Sequence, residues 1–183
     1  MDKTKLDPIL LGAVNVFLQY GYRKTSLDDI AMAVGVSRQT LYQRYKNKET
    51  LFKMAVDNVF AYSIEECERV VKDNDLPFTE KLLMIFHIWC GQHVEILNRS
   101  LQAAEILAEI EAVASENIGQ KKNELEHIVM KVISSEELTV FDSVDPILVA
   151  ETLYHTAKGI MKNSETADEF KQKMAIAIRV ICR

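Results

Sequence analysis

Between Ser37 and Lys48 the chain reads Ser-Arg-Gln-Thr-Leu-Tyr-Gln-Arg-Tyr-Lys-Asn-Lys, which sets Arg38, Arg44, Lys46 and Lys48 among hydroxyls, amides and aromatic rings. No acidic residue falls between Ile30 and Asn47. Cations and hydroxyls at this density suit phosphate oxygens, and arginine and glutamine carry the paired donors and acceptors that match base edges. Catalytic patterns are missing: there is no phosphate-cradling glycine loop, no HExxH and no GxSxG. The chemistry to expect is binding, not catalysis, and no cofactor is called for.

The 183 residues carry a net charge of −5, which taken alone argues against a polyanionic partner. The average hides a division. Residues 1 to 55 hold nine Lys/Arg against five Asp/Glu, a balance of +4, so the rest of the chain carries −9. A basic N-terminal module on an acidic body fits a protein that grips nucleic acid with one end only.

At 48% hydrophobic residues the chain can bury a substantial core. Its longest apolar run, Leu82 to Ile88 with His87 inside it, falls far short of the ~20 residues that span a membrane. The N-terminal residues Met-Asp-Lys-Thr-Lys lack a signal-peptide core, so the cytoplasm is the expected location. Cys67, Cys90 and Cys182 are odd in number and have no CxxC spacing, which indicates plain thiols.

Helical periodicity runs through nearly every segment, and six glycines with three prolines leave few interruptions. The expectation is an all-α chain. The first helix, about Lys5 to Tyr20, ends at Gly21. The second opens with Ser26 and Asp29 as a capping box and ends at Gly35, and the third, about Arg38 to Tyr45, is capped by Ser37. This order reads as a helix-turn-helix over about 27–46. A fourth helix runs from Lys48 to Lys72, ahead of the break Asp73-Asn74-Asp75-Leu76-Pro77. Beyond it the pattern predicts helices over Phe78 to Leu97, Leu101 to Glu111 and Asn117 to Ser134. Asp145-Pro146 starts another, reaching Asn163, and Thr166 with Glu169 caps the last. Those final two helices have more apolar surface than one contact needs, which suggests an intermolecular four-helix bundle and hence a homodimer. A buried monomeric hairpin is the alternative.

The N-terminal residues resemble the DNA-binding domain of the TetR family of bacterial transcriptional regulators. The likeness rests on Phe17 and Gly21-Tyr22, Thr25-Ser26, Ile30-Ala31, Gly35-Val36-Ser37, Thr40-Leu41-Tyr42 with Tyr45 where Phe is usual, and Lys48-Glu49 with Leu51. It covers about the first 60 residues. The resemblance implies a nine-helix architecture, with a helix-turn-helix domain at 4–64 and a helical effector-binding and dimerisation domain at 65–183. It also implies a dimeric repressor that leaves a palindromic operator when a small-molecule effector binds.

Within that frame, Thr25, Ser37, Tyr42, Arg44 and Lys48 are expected to anchor phosphates, and Arg38, Gln39 and Gln43 to read bases. Ser26 and Thr40 complete the expected interface, and Ala31, Ala33, Val34, Val36 and Leu41 are expected as scaffold. In the acidic body, Phe86, Trp89 and His93 share a helix face. Tyr62 and Tyr154 come from helices expected nearby, so these five outline either a pocket for a partly apolar effector or an ordinary core. His87, Cys90 and His93 lie in one wedge of helix, but no carboxylate pair accompanies them and packing is the expectation over a metal site. Two other readings remain open: a DNA-bound adaptor whose body contacts a partner protein, and a structural helical module that does not bind DNA.

Overall fold

A computed structural model of the chain describes residues 7–135 and 144–182. Among these residues there are nine α-helices and no strands. None of the helices is long and apolar enough to cross a membrane.

Three short helices open the chain. Helix α1 (Pro8–Tyr20) begins where the Asp7 side chain accepts from the Ile9 N–H at 2.8 Å, with Pro8 in the first turn. Asp7 itself is extended, so the expected start at Lys5 is corrected to Pro8. Helix α2 (Leu27–Val34) carries the complete Ser26/Asp29 capping box. It stops at Gly35, whose φ of 71° is a left-handed conformation that glycine adopts without steric cost. Helix α3 (Arg38–Tyr45) starts with the Ser37 hydroxyl accepting from the Thr40 N–H at 3.0 Å.

Helix α4 (Lys48–Lys72) runs unbroken over the expected span. Helix α5 (Phe78–Trp89) is shorter than expected: the chain passes through a 3₁₀ turn at Gly91–His93 before α6 (Val94–Arg99). The break falls where a Cβ on residue 91 would lie 2.7 Å from the Phe170 ring, so only glycine lets α9 approach this closely. The helices expected at 101–111 and 117–134 are one, α7 (Ala103–Ser134). Gly119 sits inside it with open space around it, a cost of about 1 kcal/mol against alanine that a 32-residue helix absorbs. Helices α8 (Pro146–Lys162) and α9 (Ala167–Ile181) begin at the expected caps, Asp145 and Thr166.

The chain divides into two compact units, residues 1–62 with 97–119 and residues 63–96 with 120–183. In the first, α1, α2, α3 and the start of α4 enclose Phe17, Ile30, Leu41, Tyr45, Leu51 and Phe52. The first half of α7 completes that core with Ile106 and Ala114. Phe17 and Tyr22 both meet the Phe52 ring edge-on, at 5.1 and 4.9 Å between centroids. In the second unit α9 packs on both α5 and α8, around Leu82, Phe86, Leu125, Leu153, Phe170 and Met174.

Candidate nucleic-acid interface

Helix α3 is held by two side chains. Leu41 and Tyr45, one turn apart, are fully buried, and the other six residues of the helix are exposed. Arg38, Gln39, Thr40, Tyr42, Gln43 and Arg44 therefore reach solvent from one short rod whose attachment occupies a narrow stripe. Ser37 sits at its N-terminus, where its oxygen also lies 2.7 Å from the Thr40 hydroxyl. The backbone N–H groups of the first turn make this end favourable for an anion.

Several expected contact residues have partners inside the molecule. The Thr25 side chain is buried and its hydroxyl donates to the Gly21 carbonyl at 2.7 Å. The Ser26 hydroxyl donates to Asp29, and these bonds hold the Asp29 carboxyl below its usual range. The Lys48 ammonium donates to the Tyr22 carbonyl at 2.9 Å and lies 4.4 Å from the centre of the Tyr22 ring. Lys48 thus closes the turn between α1 and α2 from the first residue of α4. Arg38 pairs with Asp28, and Arg44 with Asp7. Of the expected scaffold, Ala31 and Leu41 are buried but Ala33 is exposed.

Sequence reasoning missed the partners of these residues. Asp28 signals only a helix N-terminus, and its pairing with a residue ten positions later has no local signature. Glu105 is further from notice: its carboxylate accepts the Arg23 N–H at 2.8 Å, from a helix expected to belong to the other domain.

The expected effector residues are divided. Tyr62 is half-buried on α4 in the first unit, whereas Phe86, Trp89 and Tyr154 are core residues of the second and His93 is half-buried there. Burial pushes the Tyr154 hydroxyl up to about 12, with Cys90 and Glu126 adding to the effect. A groove of about 560 Å³ in the second unit is lined by other side chains, among them Ile64, Glu68, Asn123, His127 and Lys131. Burial also pushes the Cys67 and Cys90 thiols up to about 12 and Cys182 to about 11, so all three are neutral near pH 7. Among the described residues no group of three or more His, Cys, Asp or Glu is placed to hold a metal ion.

Residues 9–55, which contain α2, α3 and all of α1 but its first residue, match the family described as bacterial regulatory proteins, tetR family. This segment is a DNA-binding domain of the TetR type. Over 68 residues it is 38% identical to IcaR of Staphylococcus epidermidis, the negative transcriptional regulator of the biofilm operon icaADBC, a match covering 37% of each chain. It is 43% identical over 51 residues to the transcriptional repressor ComR of Escherichia coli, covering 28% of this chain and 24% of that one. The matched segment thus spans well under half the length of these curated relatives. The TetR-family fold extends further. Reduced NemR of E. coli aligns over 97% of both chains with a TM-score of 0.74 at 14% identity. FadR of Bacillus subtilis in complex with stearoyl-CoA aligns over 96% of both with a TM-score of 0.68 at 19% identity.

Proposed function

We propose that this protein is a sequence-specific DNA-binding transcriptional regulator of the TetR family, a dimeric repressor that a small, partly apolar effector releases from its operator. Residues 4–64 form the DNA-binding domain in this reading and residues 65–183 the effector-binding and dimerisation domain. The observation that carries it is α3: a basic helix whose buried anchors are Leu41 and Tyr45, with every other side chain exposed on the face that would enter a major groove. The basic balance of residues 1–55 and the repressor names of the relatives support it.

Ser37, Thr40, Tyr42 and Arg44 bind backbone phosphate in this reading, and Arg38, Gln39 and Gln43 contact bases. Thr25, Ser26 and Lys48 contribute by fixing the approach of α1 and α2, since their polar atoms already have internal partners. Two such modules reach half-sites about one helical turn, roughly 34 to 36 Å, apart. The effector enters the second unit beside Phe86, Trp89, His93 and Tyr154. The acyl ligand of B. subtilis FadR is a precedent on the same fold. The protein works in the cytoplasm without a membrane partner.

The test is binding of the full-length protein to fragments of its own upstream region across a salt series. Specific binding should weaken steeply with salt. Tyr42→Ala should lower affinity for all sequences, Arg44→Ala should do so and also reduce the salt slope by about one, while Gln43→Ala should change preference between sequences. Absence of a preferred fragment at low ionic strength rejects the regulator. A preferred complex indifferent to apolar small molecules favours a DNA-bound adaptor instead.

A further inference from the structure

We propose that Asp28 is a positioning residue, which braces the Arg38 guanidinium so that it reads guanine and is kept from the phosphate backbone. The proposal rests on the DNA-binding reading above. Arg38 is the first residue of α3 and Asp28 lies in the first turn of α2. Arg38 Nε donates to Asp28 Oδ1 while Nη2 faces Oδ2, so the carboxylate takes the guanidinium along one edge with two parallel contacts.

Which edge is taken decides what remains. The Nε and Nη2 edge consumes the single Nε proton and one of the two on Nη2. The two Nη1 protons and the outer Nη2 proton are left, and this end-on edge is the one that can donate to guanine O6 and N7 together. The Arg38 side chain is 70% exposed, so a partner can approach it from solvent. An unbraced arginine can turn any edge to a phosphate. A braced one loses less side-chain freedom on meeting a base, and its carboxylate neighbour repels phosphate oxygens.

Arg44 provides the contrast within the same helix. It meets Asp7 through Nη2 alone and lies 5.2 Å from the centre of the Tyr45 ring, so among the described residues no carboxylate takes it along an edge. The two arginines of α3 are equal in charge and differ in how a carboxylate holds them.

The experiment uses the full-length protein and a duplex selected by it from a randomised pool, with each guanine in turn replaced by 7-deazaguanine, which lacks the N7 acceptor. Wild type should lose about tenfold or more in affinity at one guanine per half-site. Arg38→Ala should be indifferent to that replacement. The isosteric Asp28→Asn should still bind DNA, with a steeper salt dependence, but lose most of the discrimination, and it should have no further effect on discrimination in the Arg38→Ala background. Discrimination that survives Asp28→Asn, or that Asp28→Asn alters equally without Arg38, overturns the proposal while leaving the regulator intact. Failure to select any duplex overturns both.

Discussion

The Glu105 carboxylate, in the first turn of α7, accepts the backbone N–H of Arg23 across 82 residues of sequence. The same carboxylate crowds Gly21, where an added Cβ would lie 2.7 Å from Oε2 and φ is already 87°. With the Lys48 ammonium on the Tyr22 and Arg23 carbonyls, the turn that leads into α2 is clamped by both α4 and α7. Glu105→Ala should cost about 1 kcal/mol, since the bond is charge-assisted but exposed. That corresponds to a melting point lower by roughly 2–4 °C in a chain of this size. DNA affinity should fall with it although no DNA-facing side chain has changed, and Glu105→Gln, which keeps an acceptor, should do less. Thermal unfolding and anisotropy titration measure the two effects.

Tyr45 is fully buried, and among the described residues its hydroxyl has no hydrogen-bond partner. A buried donor and acceptor left unsatisfied costs about 1–3 kcal/mol. Tyr45→Phe removes the liability and keeps the ring that anchors α3, so it should raise the melting temperature by a few degrees and leave DNA binding unchanged. A lower melting temperature would mean that the hydroxyl has a partner after all.

The ease with which the first unit could be read from sequence has a physical basis. Ser26, Asp29, Gly35, Ser37 and the pair Asp145-Pro146 act on the backbone within a few residues, so local pattern was enough to place α2, α3, α4 and α8. Asp7-Pro8 carries the same signal as Asp145-Pro146, and the apolar stripe that continues past it masked the start of α1. Where the reading failed, a distant segment decides. Gly91 breaks α5 because Phe170 needs the space, and Gly119 does not break α7 because nothing there demands it. The exposed polar side chains of α3 were legible by type. The tethers Asp28, Asp7 and Glu105 were not, because they act across space.

His87 and His93 are both held below the usual imidazole range, in each case mainly by burial. Lys171 pushes His87 further down and Asp168 partly opposes it, while His87 itself adds to the shift of His93. The unfolded chain takes up these protons as the pH falls through about 6.5, whereas the folded chain resists them. The stability that these groups contribute is therefore complete above pH 6.5 and is lost as the pH falls from there through their folded values. The melting temperature should drop between pH 7.5 and 5.5, and a His87→Gln variant should show a shallower slope over the same interval. Equal slopes would remove His87 from the account.

The proposed dimer can be tested from a surface that the protomer leaves uncovered. On α9, Ile176 and Val180 are one turn apart and each 62% exposed, and on α8 Leu148 is 53% exposed. Three turns beyond Leu148, on the same face, Gly159 is exposed with nothing within 4 Å of where its Cβ would be. A mid-helix glycine costs about 1 kcal/mol against alanine, and no contact within the protomer requires it. A helix of a second copy crossing α8 at Gly159 would supply the requirement, because the missing side chain lets two backbones approach closely. Ile176→Glu combined with Val180→Glu should place four carboxylates in a two-fold interface and convert the protein to single chains in light scattering. Gly159→Leu should weaken the dimer by bulk without adding charge. Both variants should keep the helical signal of wild type and bind a single half-site, while losing most of the affinity for the full operator, since two linked modules gain from binding together. A wild-type mass of one chain at micromolar concentration would rule this interface out, and with it the pairing of reading heads on which operator recognition depends.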